Sequence, residues 1–350
     1  VTAVSFLVPG DLATPTGGYA YARRLLAHLP AQGVEVMAVS LPGSFPHPSE
    51  ADLALTAQVL AATPRGSVLL VDGLAYGALP PAVLALAGTR PVVALVHHPL
   101  GLEAGLSAEA AARLVAVERA ALALAARVVV TSRFTRALLV SDFGVPAARI
   151  AVAEPGTDPA PRAPGGGTRT VQLLAIGAVT PRKGFDHLVA ALAGLAGLDW
   201  HLTIAGACDR APGHVADVRR AIAAAGLEAR ITLAGTVSAA RLDALYAQAD
   251  LVVSPSLFEG FGMALAEALA RGLPVVASTG GAAAETVPDA AGLKVAPGDV
   301  AALADALRAM IADPARRRAA AEAAWAAGED LTRWPDTAAI VAATLREARA

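Results

Sequence analysis

Two carboxylates within one short stretch carry the strongest chemical signal in this chain. In Ser254-Pro255-Ser256-Leu257-Phe258-Glu259-Gly260-Phe261-Gly262-Met263-Ala264-Leu265-Ala266-Glu267-Ala268-Leu269, Glu259 falls near the start of a glycine-containing turn. Glu267 falls on the alanine- and leucine-rich helix expected behind it. At 1.5 Å rise per residue, the helical part of their separation is on the order of 10 Å. That spacing suits one acid at each end of an elongated ligand. It is too long for a pair sharing one proton or one metal ion.

Three other segments hold residues suited to binding or charge stabilisation. Gly177-Ala178-Val179-Thr180-Pro181-Arg182-Lys183-Gly184 follows an apolar run and precedes a helix. Its two cations can neutralise charge on a departing phosphate, and a solvated basic loop is the plainer alternative. Thr16-Gly17-Gly18-Tyr19 lets the backbone approach an anion at a helix start, or is simply a helix-start turn. It lacks the G-x-G-x-x-G dinucleotide fingerprint, and the chain lacks the G-x-x-x-x-G-K-[ST] phosphate loop. His97 and His98 close the strand Pro91–Val96, where active-site residues collect. They have neither HExxH spacing nor an acidic partner at a metal-ligand interval, so no metal site is expected. Glu285, in a glycine-led turn, is either a helix-start acid or a ligand contact, and Cys208 is assigned no catalytic role.

The elements that must position these residues repeat as strand, loop, helix. Short apolar runs read as buried parallel strands at 4–8, 34–39, 68–71, 92–96, 128–130 and 150–152. They resume at 171–176, 202–205, 231–233, 251–253 and 275–277. Segments of helical length lie between most of them. Continuous rather than alternating strands joined by helices indicate a parallel sheet covered on both faces. Residues 155–168, with four prolines and four glycines, read as a linker. The expected fold is therefore α/β, with two tandem Rossmann-like, doubly wound domains facing a cleft. The domains are placed at 1–160 and 161–331, followed by a C-terminal helix, 332–350, that can pack back on the first. Ligands in such sheets bind beyond the carboxyl ends of the strands, which places the expected site in the cleft.

Composition agrees with this outline. The 350 residues exceed one ordinary core; 55% are hydrophobic, 17% are charged, and the net charge is -2. These values exclude a disordered chain and a nucleic-acid-binding surface. A single cysteine excludes an intrachain disulfide and a cysteine-based zinc cage. The longest apolar stretches are interrupted by Arg90, Glu118, Arg119 and Arg127, short of the roughly 20 residues of a membrane span. No basic leader precedes Val4–Val8, so a cytoplasmic location is expected. Arg23 and Arg24 leave peripheral contact with the inner membrane face open.

Taken together, these motifs resemble the retaining glycosyltransferases of family 4, and the resemblance covers nearly the whole chain. Its most specific element is Glu259-Gly260-Phe261-Gly262 followed by Glu267. It also includes Gly17-Gly18, Thr131-Ser132-Arg133-Phe134-Thr135, Gly144-Val145-Pro146, Gly156-Thr157-Asp158 and Pro181-Arg182-Lys183-Gly184. The resemblance implies a B-type glycosyltransferase fold, with a nucleotide sugar bound by the second domain and the acceptor by the first. Glu259 would touch the sugar hydroxyls and Glu267 the ribose, with the amides of Phe261, Gly262 and Met263 near the sugar and diphosphate. Lys183 and Arg182 would stabilise the leaving group, approached by Gly17, Gly18 and Gly177. His97 would lie near the sugar's outer hydroxyl, while Tyr19 and His98, with Tyr21, His47 and residues 100–106, would line the acceptor pocket. Transfer would retain anomeric configuration and require neither metal nor cofactor. Two positions depart from the family pattern: Ala178 stands where many relatives carry arginine, and Pro155 where asparagine is usual. The competing readings are a phosphorylase or a transferase using a phosphate-like nucleophile, a nucleotide-sugar-binding protein without turnover, and a periplasmic-type binding protein. Donor base, acceptor and oligomeric state are not specified by these motifs.

Overall fold

The computed structural model describes residues 2–349, which form two compact units. The first takes the chain up to Gly156 and again from Thr332; the second is Thr157–Leu331. Each contains one six-stranded sheet, and every pairing is parallel.

In the first unit the strands are β1 (Thr2–Pro9), β2 (Val34–Leu41), β3 (Val68–Asp72), β4 (Val92–Val96), β5 (Arg127–Val130) and β6 (Ile150–Val152). Their order is β2-β1-β3-β4-β5-β6. Every residue of β3 and β4 is buried, the reason these strands read as unbroken apolar runs. At the edge, β2 is buried only at its two ends, and Met37 is among its exposed residues. The sheet order reverses between β1 and β3, which creates a crevice at their carboxyl ends.

The second sheet is built from β7 (Val171–Ile176), β8 (Trp200–Ala205), β9 (Ile231–Gly235), β10 (Leu251–Ser254), β11 (Val275–Ser278) and β12 (Gly292–Val295). The order β12-β11-β10-β7-β8-β9 is that of the dinucleotide-binding fold, with its switch point between β7 and β10. Strand β12 is missing from the expectations drawn from sequence. Gly292 opens it and Lys294 interrupts it, so no apolar run marks it. A side chain at Gly292 would collide with the main chain of Val275, so pairing with β11 explains the glycine.

The closing helix Trp334–Arg349 belongs to the first unit. Trp334, Ala338, Val341, Ala342 and Leu345 recur at helical spacing and are buried. Thr337 Oγ1 donates to Glu154 O at 2.7 Å, and a side chain at Gly156 would run into the backbone of Trp334. The proline- and glycine-rich stretch is therefore no free linker. Pro155 and Gly156 are buried, and further on Ala163 N donates to Arg271 O while Gly166 N donates to Asp250. No helix among the described residues is long and apolar enough to cross a membrane.

Candidate functional site

At the switch point of the second sheet, the loops after β7 and β10 meet. The turn Pro181–Lys183 is anchored on the β10 loop by Leu257 N, which donates to Arg182 O at 2.7 Å. Lys183 Nζ then donates to Glu259 Oε1 at 2.6 Å, and the Arg182 guanidinium lies 3.8 Å from Glu259 Oε2. Ser256 Oγ is a second donor to Glu259 Oε1, at 2.6 Å. Gly177 makes room for this arrangement. Its φ of 148° is disfavoured for other residues, and a Cβ there would sit 2.7 Å from Lys183 Cε.

Glu259 is 8% exposed. Burial works to raise its pKa, but the Lys183 and Arg182 charges and the hydrogen bonds from Lys183 and Ser256 outweigh burial and hold it below the ordinary carboxylate range. It therefore remains an acceptor-only carboxylate at neutral pH. Its backbone is fixed as well: Glu259 N donates to Gly280 O and Ala282 N to Glu259 O, with Gly280 and Gly281 allowing the close approach.

Beyond it, Gly262 adopts φ 95° and starts the helix Met263–Leu269. Its carbonyl takes the amides of Leu265 and Ala266, whereas the amides at the very start of a helix have no intrahelical acceptor. Thr286 Oγ1 donates to Phe261 O at 2.6 Å and pins the turn. Glu267 lies on that helix. Tyr246, wholly buried, donates to Glu267 Oε2 at 2.8 Å, and Arg271 lies over the Tyr246 ring with its centroid 4.3 Å away. Burial and the neighbouring Glu267 charge keep the Tyr246 phenol protonated far into the alkaline range. Tyr246→Phe is expected to cost roughly 2 kcal/mol, the worth of a hydrogen bond to a charged group. Urea denaturation, with Glu267→Gln and the double variant completing the cycle, measures it.

In the first unit, Thr16 caps the helix Gly17–His28 by accepting from Tyr19 N, and a Cβ at Gly18 would touch His97 at 3.4 Å. His97 lies beyond β4, with its carbonyl accepting from Thr131 Oγ1 at 3.3 Å. Asp72 Oδ2 is 3.5 Å from His97 Nε2 without hydrogen-bond geometry, so Nε2 is buried and unpartnered among the described residues. Tyr21 meets the His97 ring edge-on.

Two expectations change here. Tyr21 does not line a pocket: it is fully buried and its hydroxyl donates to Ala153 O at 2.9 Å, because an edge-on fit between His97 and Trp334 encloses its ring. Leu100 and Gly101 are likewise buried, against the helix Ala108–Leu124. The Tyr19 hydroxyl is bonded to Pro9 O, and His98 Nε2 lies 3.1 Å from Glu103. Arg23 donates to Thr14 O, and Arg24 stacks over Trp334 at 5.7 Å. Glu285 is exposed in the first turn of Ala283–Thr286, and Cys208 packs against the second unit's core. Among the described residues, no group of three or more His, Cys, Asp or Glu is placed to hold a metal ion.

Sequence reasoning missed Ser256, Asp72 and Tyr246. A serine three residues before a glutamate was a readable signal for the first, and an aspartate directly ending an apolar strand for the second. Tyr246 lies 21 positions before Glu267 and had none.

Two parallel six-stranded α/β units, with a cation–carboxylate cluster at the second switch point, define a B-type glycosyltransferase architecture. Sucrose-phosphate synthase from Thermosynechococcus elongatus has the same fold, with a TM-score of 0.82 over 97% of this chain and 96% of that one at 24% identity. Family models for glycosyl transferases group 1 and glycosyltransferase family 4 match residues 162–326 and 70–161. The chain belongs to the glycosyltransferases of the family 4 type. It is 35% identical over 235 residues to a D-inositol 3-phosphate glycosyltransferase of Pseudarthrobacter chlorophenolicus, an alignment covering 62% of this chain and 54% of the relative. A GDP-mannose-dependent alpha-(1-6)-phosphatidylinositol monomannoside mannosyltransferase of Mycolicibacterium smegmatis is 33% identical over 258 residues, covering 67% and 64%. The chain thus spans a little over half to about two thirds of these relatives' length.

Proposed function

We propose that this chain is a retaining hexosyltransferase that takes its sugar from a uridine- or guanosine-diphosphate donor and passes it to a small-molecule, saccharide or lipid-headgroup acceptor. The observation that supports this most directly is the part-buried Lys183–Glu259–Arg182 cluster at the second switch point. A diphosphate brought there meets two cations already gathered. A sugar hydroxyl meets a carboxylate that accepts hydrogen bonds at neutral pH.

In this reading the second unit holds the donor. Lys183 and Arg182 neutralise the diphosphate as the anomeric carbon–oxygen bond breaks. Glu259 accepts from sugar hydroxyls, Glu267 from the ribose, and the first amides of the 261–263 turn meet the sugar and phosphate. The acceptor oxygen bonds to the anomeric carbon on the face the phosphate leaves, and its proton passes to the departing phosphate oxygen. No metal is included, because the two cations take the leaving-group charge. The first unit is assigned the acceptor, with Tyr19 and His98 as contacts. The roles that resemblance gives to Gly17, Gly18 and His97 belong to the same proposal, and the unpartnered Nε2 of His97 is consistent with a ligand hydroxyl there. Relatives named for inositol-containing acceptors make a cyclitol the first acceptor class to try.

Calorimetry against UDP, GDP and their hexose conjugates tests the donor. One nucleotide sugar is expected to bind, and Glu259→Gln and Lys183→Met each to weaken it at least tenfold. Absence of binding to all of them would overturn the reading. Release of free sugar phosphate in the presence of inorganic phosphate would instead indicate the phosphorylase chemistry.

A further inference from the structure

A carboxyl that the proposed reaction does not use lies beneath the histidine loop of the first unit. Glu118, on the helix Ala108–Leu124, is 1% exposed. Its Oε2 accepts from Leu100 N at 2.8 Å, while Oε1 is buried and has no hydrogen-bond partner among the described residues. The space around it is tight, since a Cβ at Gly77 would sit 2.9 Å from Oε1 and 3.0 Å from Leu100 Cδ1. Gly101 lets the same loop lie on the helix backbone near Val115. Thr131 holds the other end of the loop at His97 O.

We propose that Glu118 is a positioning residue, fixing the loop from His97 to Leu100 through the Leu100 amide and so setting where His97 is presented. A carboxylic acid is an odd choice for a buried prop, because an amide or hydroxyl would accept one amide hydrogen without an ionisable group. What distinguishes the acid is that the strength of its bond to Leu100 depends on protonation: the carboxylate is a stronger acceptor than the neutral acid. Burial pushes Glu118 up to about 8, with the Leu100 bond opposing that rise, so both forms are accessible around neutral to mildly alkaline pH. The titratable neighbours are otherwise engaged. On Gly73–Tyr76, the Tyr76 hydroxyl donates to Ala121 O, and on the loop His98 and Glu103 face each other at 3.1 Å. Arg119, next along the helix, donates to Asp142 O.

The importance of this placement rests on the donor-site role proposed for His97, whereas the placement itself is testable without any nucleotide sugar. Pro99-Leu100 is the only Pro–Leu step in the sequence. Carbonyl-labelled proline combined with amide-labelled leucine therefore gives a single correlated NMR signal from Leu100. In the wild-type chain that signal is expected to shift between pH 6 and 9 with a midpoint near 8. In Glu118→Gln, which keeps a carbonyl acceptor and cannot ionise, it should remain flat. In Glu118→Leu the Leu100 amide should exchange with solvent at least tenfold faster. A flat wild-type signal, or an unchanged titration in Glu118→Gln, overturns the proposal even if Glu118→Leu does not fold. A donor titration on the same samples separates the two readings: a wild-type chain that binds no nucleotide sugar yet shows the Leu100 titration loses the proposed function and keeps the positioning role.

Discussion

Lys183→Met is expected to destabilise the second unit by about 3 kcal/mol, and adding Glu259→Gln to return most of that loss. The first substitution leaves a carboxylate buried with Ser256 and a more distant Arg182 as its remaining partners. A buried charge stripped of its closest counter-ion pays the desolvation cost that the pair had offset. The second substitution removes that charge and keeps an acceptor for Ser256. Glu259 has a lowered pKa in the folded chain, so the pair's contribution is present above the ordinary carboxylate range and lost as pH falls through the lowered value. Hydrogen exchange of second-unit peptides in urea reports the stability. The double variant should recover stability without recovering nucleotide-sugar binding, because neither the cation nor the carboxylate is restored. A double variant no more stable than Lys183→Met would mean that the unpaired charge was not the source of the loss.

The second large effect concerns Glu118 and has the opposite pH sign. Its folded value of about 8 lies far above the ordinary carboxylate range. Between those limits the unfolded chain is ionised while the folded chain still holds the proton. Folding then takes up a proton, and stability falls as pH rises, by at most ~1.4 kcal/mol per pH unit, levelling off above about 8. Glu118→Gln lacks this component. Relative to wild type it is expected to gain stability progressively from about pH 5 to pH 8, reaching a few kcal/mol. Any constant offset from placing an amide where Oε1 has no partner is the same at every pH, so the slope of the difference is the quantity to read. Urea midpoints of the two proteins across this range supply it. A difference that does not change with pH would show that Glu118 ionises in the folded chain as it does in the unfolded one.

How far the sequence could be read follows from how local each signal is. The parallel α/β class was legible because strands buried on both faces, such as Val92–Val96 and residues 68–71 of β3, read as unbroken apolar runs. The Glu259–Glu267 pattern and the Arg182-Lys183 loop were legible because a strand-to-helix turn confines their residues to one short segment. Strand β12 was not, since one glycine and one lysine in four residues erase an apolar run. Tyr21 looked like a pocket residue because a tyrosine beside a glycine turn gives no hint of Trp334, more than three hundred positions away, closing over it.

By itself, then, the sequence determined which strands are buried, where the turns fall, and which charged residues stand at strand ends. All of these are set within a few residues by side-chain burial and backbone geometry. Tertiary structure alone decided who partners whom. Lys183 reaches Glu259 across 76 positions and Tyr246 reaches Glu267 across 21. Leu100 rests on Glu118, and the last helix completes the first unit rather than following the second. Such partners are chosen by strand order and by the space left between packed elements. Neither is encoded in the spacing of neighbours along the chain.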